Sequence, residues 1–175
     1  MSTMPLQWNV DVNAVAHAPC HFSYEANASE LEGLKRYAVL EDVHTFTAKL
    51  EIAPAGAGRF RASGTLKACI VQSSVVDLQS VPAVIDEHFS VEYWPEGSIN
   101  EATGESLPFD KDLPEAIVGA RIPIGEFLCE LFVLSIEPYP RNEGDEFKWN
   151  PPRPEPEDSP FAQLSQLRRP KQRKE

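Results

Sequence analysis

The sequence predicts an α+β fold: a mainly antiparallel β-sheet, open or barrel-like, with two helices and a disordered, proline-rich, basic C-terminal tail. Three observations point there. Residues 45 to 52, 59 to 72 and 83 to 94 alternate apolar and polar side chains with a period of two, as half-buried strands do. Residues 29 to 38 and 123 to 134 place apolar side chains at helical spacing instead. Pro138, Pro140, Pro151, Pro152, Pro154, Pro156 and Pro160 then crowd the region that follows, where neither pattern persists. The expected organisation is one α+β domain over residues 1–140, then a linker and tail over 141–175. A chain of 175 residues with 42% apolar content suffices for one core of ordinary size.

The elements are expected in this order. Leu6, Trp8, Val10 and Val12 share one face of a first strand, with Gln7, Asn9 and Asp11 on the other. A helix begins at Ser29, whose hydroxyl caps it while Glu32, three residues on, reaches back to the cap amide. Leu31, Leu34 and Ala38 then face inward. Phe46, Ala48, Leu50 and Ile52 oppose Thr45, Thr47, Lys49 and Glu51 along a second strand. The run Pro54-Ala-Gly-Ala-Gly58 is turn chemistry, and from Arg59 to Gln72 the alternation resumes with Phe60, Ala62, Leu66, Ala68 and Ile70 on one side. Together these make a long antiparallel hairpin. A short turn around Gln79 to Pro82 leads into a strand over 83–94, with Phe89, Val91 and Tyr93 buried and a bulge or strand end near Glu87. Residues 95 to 114 lack periodicity and read as a long loop. Pro123 opens the second helix, in which Ile124, Phe127, Leu128, Leu131 and Leu134 share a face. Pro138 and Pro140 end it, since neither can donate a backbone hydrogen bond.

Composition narrows the function. Cys20, Cys69 and Cys129 are odd in number and far apart, so they cannot all pair within the chain, and a reducing, cytoplasmic compartment is expected. No basic stretch followed by an apolar run opens the sequence, and no segment approaches the roughly 20 apolar residues that span a bilayer, so no membrane partner is expected. Charge is distributed unevenly. Arg168, Arg169, Lys171, Arg173 and Lys174 lie in the last eight residues, leaving 11 bases against 26 acids in the remainder, a net charge of about −15. Such a body repels phosphate, while the tail attracts it.

Few residues carry recognisable chemistry. His17, Cys20 and His21 gather possible metal ligands, but zinc needs a fourth, the spacing is narrow and Pro19 stiffens the segment; an exposed loop is the expected state. Ser73 and Ser74 lack a nucleophile frame, and Gly56 and Gly58 lack the further residues of a phosphate-binding loop. His44 and His88 sit in strand-like contexts. No cofactor and no enzymatic activity are expected. Glu126 and Glu130, four apart on the polar face of the second helix, read as a solvated stripe or part of a binding surface. The five basic tail residues are candidates for RNA contact through counterion release; a solubilising terminus is the other reading.

One block resembles a known family. The stretch GTLKACIVQSSVVDLQSVPAVIDEHFSVEY, Gly64 to Tyr93, matches in frame a glycine-led strand, V-x-Q-x-C-V-V-T-L-E-P-V, then a strand rich in acidic and aromatic residues. Here Val71, Gln72, Ser74, Val75, Val76, Asp77, Leu78, Gln79, Ser80 and Val81 fill the frame. It resembles the central block of the YceD family, the large ribosomal RNA subunit accumulation proteins, in their alphaproteobacterial branch. Three further segments resemble that family in the same order: EANASELEGLKRYAVLEDVHTFTAKLEI; IPIGEFLCELFVLSIEPYPRNEG, with Ile122 and Ile124 departing from the pattern; and SPFAQLSQL, Ser159 to Leu167. Many relatives carry cysteine where this chain has Ser74 and Asp77, so a thiolate metal site built there is not open to it.

The resemblance implies a role in 23S rRNA accumulation and large-subunit biogenesis. Combined with the charge, it suggests a non-enzymatic factor whose acidic body holds a basic ribosomal or assembly protein. The expected partner surface comprises Gln72, Ser74, Asp77, Glu126, Glu130 and Arg141. Direct binding or processing of rRNA, through the tail and the sheet face around Gln72 to Leu78, is the alternative.

Overall fold

In the computed structural model, residues 4–98, 114–142 and 144 are described. Five strands form one sheet in sequence order: β2 (Cys20–Glu25), β3 (Asp42–Gly56), β4 (Arg59–Ser73), β5 (Ser80–Pro95) and β6 (Glu115–Ile117). The first four are joined antiparallel, and β6 runs parallel to β5. A separate two-stranded pair joins β1 (Val10–Asp11) to β7 (Arg121–Ile122). The fold is thus α+β with a mainly antiparallel sheet, and that sheet is open rather than barrel-like.

Period two assigned the central strands because one face of each meets solvent. Phe46, Ala48, Leu50 and Ile52 of β3, Phe60, Ala62, Leu66, Ala68 and Ile70 of β4, and Phe89, Val91 and Tyr93 of β5 are all buried. On the opposite face, cross-strand neighbours pair by charge: Arg61 with Glu92 at 2.6 Å and Lys67 with Asp86 at 2.8 Å. Exposed pairs of this kind add little, about 0–1 kcal/mol each, and chiefly fix register. The register runs unbroken through Glu87, which stands opposite Leu66, so the expected bulge is absent. Glu87 is exposed, so its carboxylate reaches water without bending the backbone. The expected turn at Gln79 to Pro82 falls earlier, between Ser74 and Gln79.

Gly64 sits where β3 and β4 come unusually close. A Cβ there would lie 2.7 Å from Leu50 Cα and against the Lys49 carbonyl, so no larger residue fits without moving backbone.

The helices cover the apolar face. Helix α2 (Ala28–Ala38) is capped by Asn27, two residues before the expected cap at Ser29. The Asn27 side chain accepts from the Ser29 and Glu30 amides, and Glu30 accepts from the Asn27 amide, a reciprocal capping box. The second carboxylate oxygen of Glu30 accepts from the Trp8 indole at 2.9 Å, tying the N-terminal segment to this helix. Leu34 is fully buried on the inner side. The helix ends at Val39, a β-branched residue at φ 55°.

Helix α3 (Ile124–Leu134) follows Pro123, which stands just outside it as the cap rather than as its first residue. Ile124, Leu128 and Phe132 are fully buried, and Phe132 packs edge-on against Phe46 with centroids 5.4 Å apart. Burying such a ring contributes roughly 1.5–3 kcal/mol. Leu134, expected on the same stripe, is 82% exposed, because the buried face runs through Ile124, Gly125, Leu128, Cys129 and Phe132 and Leu134 projects from the other side of the helix.

Two expectations near the N-terminus change. Leu6 and Val10 are buried and Trp8 half-buried, as alternation requires, but the only regular strand there is β1, and Val12 starts a one-turn helix, α1 (Val12–Val15), capped by the Asp11 side chain. The segment bonds instead to α3: the Gly125 amide donates to the Trp8 carbonyl at 2.9 Å. Contact this close depends on glycine, since a Cβ on Gly125 would lie 2.7 Å from the Leu6 carbonyl oxygen. Cys20 and His21, expected in a loop, open the edge strand β2. There the half-buried Cys20, Phe22 and Tyr24 alternate with the exposed His21, Ser23 and Glu25.

Candidate partner-binding surface

The six expected surface residues separate into two places. Gln72, Ser74, Asp77 and Arg141 lie at the β4–β5 turn. Ser74 is fully buried: its amide donates to the Gln79 carbonyl at 2.8 Å, and its hydroxyl accepts from the amides of Val76 at 3.2 Å and Asp77 at 3.4 Å. The Asp77 carboxylate accepts from the Gln79 amide at 3.1 Å, and Leu78 closes the turn at φ 62°. Gln72 is 6% exposed, with its amide group donating to the Glu137 carbonyl at 2.8 Å. Beside it, the Val75 amide donates to the Pro140 carbonyl at 2.9 Å.

Gln72 and Ser74 are therefore buried rather than part of an exposed surface. The Gln72 side-chain nitrogen and the Ser74 hydroxyl bond to backbone groups and tie the turn to the segment after α3, while Gln72 Oε1 has no partner among the described residues. Asp77 and Arg141 remain exposed. Arg141 borders a cleft of about 560 Å³ formed with Val75, Val76, Glu137 and Tyr139.

The second place is the outer side of α3. Glu126 and Glu130 are exposed one turn apart, and β6 brings Glu115 near them. Burial, followed by the charges of Glu130 and Glu126, holds the Glu115 carboxyl above its ordinary range. The same three carboxylates add to the effect of burial on Tyr93, whose phenol is pushed well up and whose hydroxyl has no partner among the described residues. Among the described residues, none of the three acids enters an ion pair.

Next to this cluster lies a groove of about 470 Å³ between β5 and α3, lined by His88, Phe89, Val91, Glu115, Phe127, Glu130, Leu131 and Leu134 among others. Phe89 and Phe127 form its floor, with ring centroids 5.4 Å apart. Sequence reasoning nominated Glu126 and Glu130 but missed Glu115 and the groove. Glu115 belongs to a three-residue strand placed by pairing with Tyr93 across a long connection, and no local pattern marks it.

The remaining candidates fall elsewhere. His21 faces Glu51 across the β2–β3 ladder at 3.4 Å, and the Cys20 thiol donates to the Ala14 carbonyl at 3.4 Å. Among the described residues no three His, Cys, Asp or Glu side chains gather as a metal ion would need. Cys129 is buried on α3, and burial pushes its thiol up to about 11. Among the described residues no helix is long and apolar enough to cross a membrane. Arg168, Arg169, Lys171, Arg173 and Lys174, the 141–160 linker apart from its first residues, and most of the expected 95–114 loop lie outside the described residues. No family model matches the chain, nor does any curated protein or solved structure.

Proposed function

We propose that this chain is a non-enzymatic factor in 23S rRNA accumulation and large ribosomal subunit biogenesis, whose acidic body holds a basic ribosomal or assembly protein. The observation that carries the binding half of this reading is the cluster of Glu115, Glu126 and Glu130. Burial raises the Glu115 pKa and the nearby charges of Glu130 and Glu126 add to it, and none of the three carboxylates is neutralised by a base among the described residues. Leaving like charges together costs free energy in the isolated chain, and a basic partner relieves that cost on binding. The same field opposes direct contact between this surface and a phosphate backbone.

The ribosomal half rests on the resemblance. In the alphaproteobacterial setting that the resemblance implies, deleting the gene should reduce large subunits in sucrose-gradient profiles. Capture with the tagged chain should recover basic ribosomal or assembly proteins. A normal profile together with a capture that contains none of them refutes the proposal.

A further inference from the structure

Strand β5 is paired unequally on its two sides. Strand β4 follows it from Ser80 to Tyr93 without a register shift, whereas β6 meets it only at Tyr93, Trp94 and Pro95. Among the described residues, the side of β5 facing away from β4 therefore has no strand partner from Ser80 to Glu92. At about 3.3 Å per residue that is an edge on the order of 40 Å long. An open edge presents unpaired amides and carbonyls, a template for another extended chain. Proteins usually blunt such edges with bulges, lysines, prolines or short strands; this stretch has no bulge and no lysine, and its one proline, Pro82, lies near the Ser80 end.

Its protection is acidic instead. Asp86 and Glu87 sit at the middle of the open run, and a second copy pairing antiparallel about that point would set these acids against their own equivalents. A basic chain meets no such repulsion. Alongside the edge, the Phe89–Phe127 floor, Leu131 and the exposed Leu134 offer an apolar strip, with Glu115 and Glu130 at its border.

We propose that the open edge of β5 takes an extended basic segment of a partner protein as an added strand. Apolar side chains of that segment lie on Leu131 and Leu134, and its lysines or arginines meet Glu115, Glu130 and Glu87. Backbone pairing gives affinity, and the alternation of apolar and basic positions gives selectivity. This rests on the reading above that the acidic body binds a basic partner, and specifies how.

The test uses the full chain and three fluorescent ten-residue peptides: one alternating lysine and valine, one with glutamate for lysine, and one with proline for every second valine. Anisotropy should show the lysine peptide binding at least about tenfold more tightly than either of the others, since proline removes the pairing amides and glutamate reverses the charge. Leu134→Lys, at a solvent-facing position, should weaken the lysine peptide about tenfold with the circular dichroism spectrum unchanged. Equal binding of the proline peptide overturns strand addition. So does a self-association seen by sedimentation that Leu134→Lys abolishes while the lysine peptide fails to bind. If capture from extract recovers basic assembly proteins equally well with Leu134→Lys, the proposed function stands and this mode of binding falls. If capture recovers none and the gradient profile of the deletion strain is normal, the proposed function fails, whatever the peptides do.

Discussion

The side-chain amide of Gln72 donates to the carbonyl of Glu137 at 2.8 Å, joining positions 65 residues apart. Through that bond and the one from Val75 to Pro140, the β4–β5 turn and the segment after α3 hold each other in place. Gln72→Ala leaves the Glu137 carbonyl without its donor and opens a cavity, at an expected cost of about 1–3 kcal/mol. Hydrogen exchange at the Val75 amide should quicken along with the drop in urea midpoint. A stable variant with unchanged protection at Val75 would show that the bond does not secure the turn.

Gly64→Ala should destabilise the chain more than a strand substitution ordinarily does. The new methyl would meet Leu50 Cα and the Lys49 carbonyl, both backbone, and neither can rotate away. Overpacking of this kind costs typically about 1–3 kcal/mol, and β3 and β4 must separate to accept it. Urea titration measures the loss; a midpoint equal to the parent's would contradict the close approach.

Val39→Gly should act in the opposite direction. A valine at φ 55° carries left-handed strain of roughly 1–2 kcal/mol, while glycine's extra freedom in the unfolded chain costs about 0.5–1 kcal/mol. Val39 is 90% exposed, so no packing is lost with its side chain. The expected net gain is about 0.5–1 kcal/mol, measured by thermal or urea unfolding.

Glu115 links stability to pH. Its pKa in the fold lies above the ordinary 4.5, so the folded chain holds that proton more tightly than the unfolded chain. The contribution is complete below the unfolded pKa and is lost as pH rises through the folded one. Glu115→Gln removes the loss: the variant should melt higher than the parent at about pH 7, and the gap should close toward about pH 4. The group is partly exposed, so the shift is expected to be modest, on the order of 1–3 °C. A gap that widens on acidification would reverse the assignment.

Much of the sheet was legible in the sequence for a physical reason. Phe46 to Ile52, Phe60 to Ile70 and Phe89 to Tyr93 alternate because their strands have one wet face and one dry face. Strand β2 was not read, although Cys20, Phe22 and Tyr24 alternate too. Three apolar residues next to Pro19 make a weak signal, and the strand is located by its pairing with β3. Gln72 and Ser74 were misplaced on the surface because polarity ordinarily stands for exposure; here each is buried beside backbone groups that need it. The tertiary pairing that brings Glu115 to Glu130 leaves no trace in local spacing. Helical spacing, which sets Glu126 and Glu130 four apart on the polar face, is what pointed to α3.

The cover that α3 provides arrives late in synthesis. Strands β2 to β5 are complete by Pro95, but the helix that dries their inner face ends only at Leu134, about 40 residues later. At translation rates of about 5–20 residues per second, Phe46, Leu66 and Phe89 wait about 2–8 s for Phe127, Leu128 and Phe132. A nascent chain stalled within that interval presents a wide apolar sheet with an open β5 edge. Exposed apolar strands and an unpaired edge of that kind are the features of a partly made chain that favour aggregation.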